Sequence, residues 1–165
     1  MPALNLRDVF RHGLGDVYDA EQQFLLILDQ IETETERPGL RDRIRRHREE
    51  TRQRIHNLER SFELLGSEPP LVSCAAIRGI REEWRNFKDT EEPTPSALEM
   101  YNLDAVHRAK GYQIASYRIL CARARALGND DVRRLLEQNL GQEEEMAKWL
   151  MDEQLKVMTE VYQTR

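Results

Sequence analysis

The chain has 165 residues, 39% of them hydrophobic and 33% charged, with a formal net charge of −5. That is enough chain for one core, read as one domain over 1–165, and too apolar for a disordered polymer. The mild acidity argues against a nucleic-acid partner, which wants a basic stripe, and no run reaches the roughly 20 apolar residues that span a bilayer.

The first long helix is expected from about Leu4 to Thr35. Its inward seam is Phe10, Leu14, Val17, Glu21, Phe24, Leu28 and Ile31, stepping alternately four and three residues. Gly13 and Gly15 weaken it locally and leave room for a close helix approach. Pro38-Gly39 closes it and opens a second helix, Leu40 to Gly66, so the two form an antiparallel hairpin. The second seam is apolar at both ends and polar in its middle: Leu40, Ile44, His47, Thr51, Arg54, Leu58, then Ser61 or Phe62, and Leu65. Polar groups in a seam cost free energy unless they find partners. The Arg-rich stretch from Arg41 to Arg54 is interrupted by Glu49 and Glu50 and reads as a solvated helix face.

A turn with two prolines, SEPPLVSC, leads to a short helix over about Cys74 to Lys88, with Ser73 as its cap. Ile77, Ile80, Trp84 and Phe87 recur on it at helical spacing, and Trp84 and Phe87 are candidates for an exposed contact surface. Pro93 and Pro95 hold off the next helix until Ser96, which with Glu99 makes a capping box. The third long helix has the seam Leu103, Val106, Lys110, Gln113, Tyr117, Leu120, Ala124 and Leu127, and stops at Gly128-Asn129. The fourth runs from Asn129 or Asp130 to about Tyr162, with Val132, Leu136, Asn139, Glu143, Met146, Leu150 and Val157 inward. No strand pattern appears. Two long-helix hairpins joined by a long middle link predict an all-α, ferritin-like four-helix bundle with a crossover and a short fifth helix.

Each long helix carries a polar or charged residue at an inward position near its middle. These are Glu21, then His47, Thr51 and Arg54 with Glu50 at the edge, then Lys110 and Gln113, then Glu143. Bundle proteins hold two metal ions with one Glu from each of two helices and Glu-x-x-His from the other two. Here Glu50 is followed three residues on by Gln53, and Glu143 by Met146. Arg54 and Lys110 stand among the acids, and a fixed cation repels a metal. Glu21, His47, Glu50 and Glu143 are therefore the candidate metal ligands, and an ion-pair layer with Arg54, Lys110 and Gln113 is the reading preferred over ligation.

Several stretches resemble the YciE/YciF bacterial stress-protein family over about residues 4–152. They are LRDVFRHGLGDVYDAEQQ, HREETRQRIHNLERSFELLG, CAAIRG with Glu82 or Glu83 after it, GYQIASYRIL, ALG and LLEQNLGQEE. The resemblance implies a five-helix ferritin-like fold, a homodimer, a di-metal centre and a link to stress responses. By position it carries Glu21, His47, Glu50 and Glu143 into the family's acidic motifs. This chain departs at Lys110-Gly111-Tyr112-Gln113, where the family reads Glu-His-Tyr-Glu, and at Arg54, Ala147 and Gly13.

Two function classes follow. The first is a non-catalytic stress-response protein whose di-metal centre has degenerated, its carboxylates neutralised by internal Lys and Arg, with no cofactor. The second is a di-iron or di-manganese carboxylate protein, binding non-haem metal or acting as an oxidoreductase. A small-ligand carrier has no support beyond the fold. The helix-four methionines, Met146, Met151 and Met158, read as core or dimer contacts rather than haem ligands, and Tyr18, Tyr112 and Tyr117 as packed residues that tether the polar layer. His12, His56 and His107 fall at the surface or edge, and Cys74 and Cys121 read as buried thiols without metal spacing. No apolar leader core opens MPALNLRDVF, which places the chain in the cytoplasm.

Overall fold

Asn5 starts the first helix. Its side chain accepts from the amides of Arg7 and Asp8, while Asp8 accepts from the Asn5 amide. This reciprocal pairing satisfies donors that a helix N-terminus leaves open. The computed structural model describes residues 5–163, without the side chains of residues 161 and 162. The expected start at Leu4 lies outside the described residues. Five helices follow in order: α1 Leu6–Glu34, α2 Pro38–Leu64, α3 Ala75–Glu91, α4 Pro95–Ala126 and α5 Asp130–Gln163.

The helix ends follow local chemistry, with four corrections to the sequence reading. Pro95 does not delay α4; it is the first helical residue, where a missing N–H costs nothing. Thr94, not Ser96, is the cap, its hydroxyl accepting from the Ala97 amide at 3.3 Å, and Glu99 instead pairs with Arg37 at 2.7 Å. Cys74, not Ser73, precedes α3, and the Ser73 hydroxyl accepts from Arg78. α3 also runs on to Glu91 before Glu92 turns left-handed at φ 43°.

Two of the long helices stop alike. Gly66 and Gly128 adopt φ of 62° and 71°, a conformation that favours glycine, one residue past the C-caps of α2 and α5's predecessor α4. At the α1–α2 turn, Arg41 donates from Nε and Nη2 to the Thr35 carbonyl at 2.8 and 2.6 Å.

α1 packs on α2 and α4, and α5 packs on α2 and α4, which closes a four-helix ring; α3 lies over α4 and α1. The middle link crosses α1 at Gly15, where an added Cβ would stand 2.5 Å from Pro70 Cγ. The Cys74 amide then donates to Asp19 Oδ2 at 2.7 Å and fixes the entry to α3. This is the ferritin-like arrangement with a long crossover. Two apolar clusters fill the ring. One centres on Phe24, Ile27, Leu28, Ile44 and Leu150, the other on Phe10, Leu14, Leu58, Phe62 and Leu136. A polar layer separates them. Trp84, expected at the surface, is buried, and Phe87 stacks on Tyr101 at 3.7 Å between ring centroids. No helix of the described residues is long and apolar enough to cross a membrane.

Candidate functional site

The alternation of four and three brings one charged residue from each long helix to one level of the bundle. Glu21 of α1, Arg54 of α2, Lys110 of α4 and Glu143 of α5 are all fully buried. Arg54 Nε stands 3.0 Å from Glu21 Oε1 and 2.7 Å from Glu143 Oε1, so the guanidinium bridges the two acids. Lys110 Nζ stands 2.5 Å from Glu143 Oε2. Both contacts of Glu143 are ion pairs by distance and lack hydrogen-bond alignment. With all four ionised, the two positive and two negative charges cancel.

Neutral side chains brace this quartet. Tyr117 donates its hydroxyl to Glu21 Oε1 at 2.8 Å, and Arg54 Nη2 donates to the Thr51 hydroxyl at 2.7 Å. Asn139 Nδ2 donates to the Arg54 carbonyl and to the Tyr117 hydroxyl, each at 3.2 Å, and Asn139 Oδ1 accepts from Asn57 at 2.8 Å. Asn57 lies beside the predicted stripe and was invisible as a participant. Asn139 stood on its seam, and an amide at a core position was the signal available. The Lys110 ammonium also sits 3.9 Å from the Phe24 ring centroid, a cation–π contact that offsets part of its desolvation.

Burial and charge set the protonation states. Burial opposes ionisation of Glu21 most strongly, but Arg54 and Lys110, with hydrogen bonds from Arg54 and Tyr117, hold its carboxyl below the usual range. Burial pushes Glu143 up, against the pull of Arg54 and Lys110 and with the repulsion of Glu21. Burial, and then the nearby Arg54, bring Lys110 down to about 8, with Glu143 and Glu21 acting the other way. Arg54 is raised: its burial is outweighed by Glu143 and Glu21.

Among the described residues, the other predicted site residues make no hydrogen bond or ion pair with the quartet. Glu50 is 26% exposed at the edge of α2, where it accepts from Arg43 and meets His47 Nδ1 at 2.9 Å. It does not reach into the layer. His47 is buried edge-on to Phe24 at 5.7 Å between centroids, and its Nε2 has no partner among the described residues. Gln113 is fully buried, and neither its Oε1 nor its Nε2 has a partner among the described residues. Tyr18 bonds Glu59 and Tyr112 bonds Asp16, so of the three tyrosines only Tyr117 joins the layer. His56 is exposed, and half-buried His107 meets Gln154 at 2.8 Å. Cys74 is buried and Cys121 only half-buried; both are free.

His47 carries a pH expectation. Burial, then Lys110, Arg54 and Arg43, lower its pKa well below the ordinary 6.5. Below pH 6.5 the unfolded chain takes a proton on this histidine and the folded chain does not. The unfolded state then binds more protons, so stability falls as pH falls. The parent should lose up to about 1.4 kcal/mol per pH unit below 6.5 relative to a His47→Gln variant. Denaturant melts at pH 7.5 and 5.5 measure this, and equal losses in both proteins contradict it.

A metal pair does not fit this donor set. Two of the acids it would need are already bridged by a guanidinium within 3.0 Å of both, and an ammonium occupies the second oxygen of one of them. The third, Glu50, is engaged by Arg43 and His47 at the edge of α2, and no group of three or more His, Cys, Asp or Glu among the described residues is placed to hold an ion.

Comparison with known proteins identifies the family and the fold. Residues 5–161 match the model of a domain of unknown function, DUF892. The chain is similar to Protein YciF of Escherichia coli strain K12, 30% identical over 142 residues that cover 84% of this chain and 83% of that protein. Among solved structures it is similar to YcfI from Rhodopseudomonas palustris, with a TM-score of 0.85 and 32% identity over 90% of this chain and 94% of that one. It is also similar to the E. coli stress protein YciF, with a TM-score of 0.88 and 26% identity over 95% and 99% of the two chains.

Proposed function

The chain belongs to the DUF892 family, and from that premise we propose that it is a non-catalytic, structural member of a bacterial stress response, its metal centre replaced by an internal ion-pair layer. The observation that carries this is the place of Arg54. Its guanidinium lies between Glu21 and Glu143, within 3.0 Å of both, where a bridging metal cation would have to lie. Lys110 neutralises the second oxygen of Glu143. A divalent ion entering here must displace two buried cations, each of which would then be left in the core without its carboxylate. The layer serves the fold instead. Charge pairs that match only across the correct four helices penalise every slipped register, because any slip buries an unpaired charge. The similarity to the stress protein YciF supports the cellular setting.

The competing reading is a di-iron or di-manganese carboxylate protein with oxidoreductase activity. One observation favours it. His47 presents a buried, unpartnered Nε2 while its Nδ1 is held by Glu50, the way an outer carboxylate orients a ligating imidazole. Metal content separates the two. Purified chain exposed anaerobically to ferrous iron or manganese should retain far less than one ion per chain after gel filtration. Lys110→Glu, which restores a carboxylate and removes a cation, should gain metal. Retention of about two ions per parent chain, as in bundle di-metal sites, overturns the structural reading.

A further inference from the structure

Most of the buried polar atoms that lack a hydrogen bond among the described residues belong to one level of the bundle. They are His47 Nε2, both amide atoms of Gln113, Lys110 Nζ and the two oxygens of Glu143. All four residues are fully buried. His47 and Lys110 lie against one ring, the ammonium 3.9 Å and the imidazole 5.7 Å from the Phe24 centroid. Gln113 stands one turn along α4 from Lys110, on the same face. α2 and α4 do not pack on each other; they face across the interior of the ring. A buried donor or acceptor without a partner carries its full desolvation cost, so native folds satisfy such groups with protein or with ordered water.

The chemistry of these atoms selects the occupant. His47 Nδ1 meets the Glu50 carboxylate at 2.9 Å, and a carboxylate accepts, so the ring proton belongs on Nδ1. Nε2 then presents a lone pair and needs a donor. Lys110 offers only donors, and Gln113 offers a donor at Nε2 and an acceptor at Oε1. A group that both accepts and donates can join all three. It must also be uncharged, because the two positive and two negative charges of the quartet already cancel. Water meets both conditions and takes two to four polar partners when buried.

We infer that the layer contains an internal water site between α2 and α4, where water accepts from Lys110 Nζ and Gln113 Nε2 and donates to His47 Nε2 and Gln113 Oε1. The site rests on the reading of the layer as an ion-pair layer without metal, and it gives His47 Nε2 a partner other than a metal ion. A hydrogen-bonded chain then runs from half-buried Glu50 at the edge of α2 through His47 and water to Lys110.

A crystal structure of the full chain at atomic resolution, with data also taken at the iron and manganese absorption edges, tests it. Water density is expected within hydrogen-bond distance of His47 Nε2 and of a Gln113 amide atom, with no anomalous signal. In solution, magnetic relaxation dispersion of water oxygen should report long-lived internal water in the parent, and Gln113→Leu should lose part of that signal with an unchanged circular dichroism spectrum. His47→Phe, which keeps an aromatic ring against Phe24, should lose part of it too. Gln113→Leu should also lower the thermal midpoint, because it strips a partner from water that Lys110 and His47 still need. In a dry layer the same substitution removes an unbonded amide and raises the midpoint. A layer with neither metal nor water, or a Gln113→Leu variant more stable than the parent, overturns this inference and leaves the ion-pair reading in place. Anomalous signal between Glu21, His47 and Glu143 overturns both.

Discussion

Replacing Arg54 with alanine is expected to lower folding stability by about 3–5 kcal/mol, the cost of removing one partner from a buried charge pair. Among the described residues the guanidinium is the only group that pairs with both buried acids, at 3.0 and 2.7 Å. Without it Glu21 keeps the Tyr117 hydroxyl, and Glu143 keeps Lys110. Two carboxylates then face one cation that burial already discourages from being charged. For a chain of this length each kcal/mol moves the thermal midpoint by about 2–4 °C, so the midpoint should fall by roughly 10 °C. A companion variant separates charge from volume. Arg54→Met combined with Glu21→Gln and Glu143→Gln removes the unpaired charges and should recover most of the loss, because a buried ion network adds little net stability over neutral groups that pack well. An Arg54→Ala melt within about 2 °C of the parent would mean that the quartet is not coupled as its geometry requires.

Trp84→Ala should cost about 3–5 kcal/mol, the usual range for emptying a buried tryptophan site. Trp84 is the large anchor of α3 and only 1% exposed. Its Nε1 donates to Asn102 Oδ1 at 2.7 Å, and Asn102 donates in turn to Glu34. Lys88 lies 3.9 Å from the indole centroid and pairs with Glu34 at 2.7 Å. One side chain thus ties α3 to α4 and to the end of α1. Its removal leaves a cavity and an unbonded Asn102 oxygen, a buried acceptor that costs about 1–3 kcal/mol on its own. Hydrogen exchange should show α3 opening first, ahead of the four long helices. Uniform loss of protection across the bundle would contradict the view of α3 as a separately anchored element.

The four long seams were legible because helical periodicity is a local property. Phe10 to Ile31, Leu40 to Phe62, Leu103 to Ala124 and Val132 to Val157 alternate by three and four in the sequence, and the buried residues follow them. The same steps turned Glu21, Arg54, Lys110 and Glu143 inward before any contact was known, since a residue's face depends only on its distance along its own helix. Helix ends were less legible. Thr94, Ser96 and Ser73 are equally good caps by type, and which hydroxyl meets a free amide depends on backbone direction at the turn.

What periodicity cannot carry is the distance between helices. That Arg54 lies between two acids 33 and 89 residues away in either direction is decided by packing, as is the pairing of Glu50 with His47 and Arg43 rather than with the layer. Trp84 shows the same limit: its spacing marked an apolar face on a short helix, and only the crossover, pinned at Gly15 and Asp19, laid that face against the bundle rather than into water. A sequence determines which side of each helix is dry, because water and core act on residues one at a time. Only the folded chain determines which charges meet, because an ion pair belongs to two helices at once.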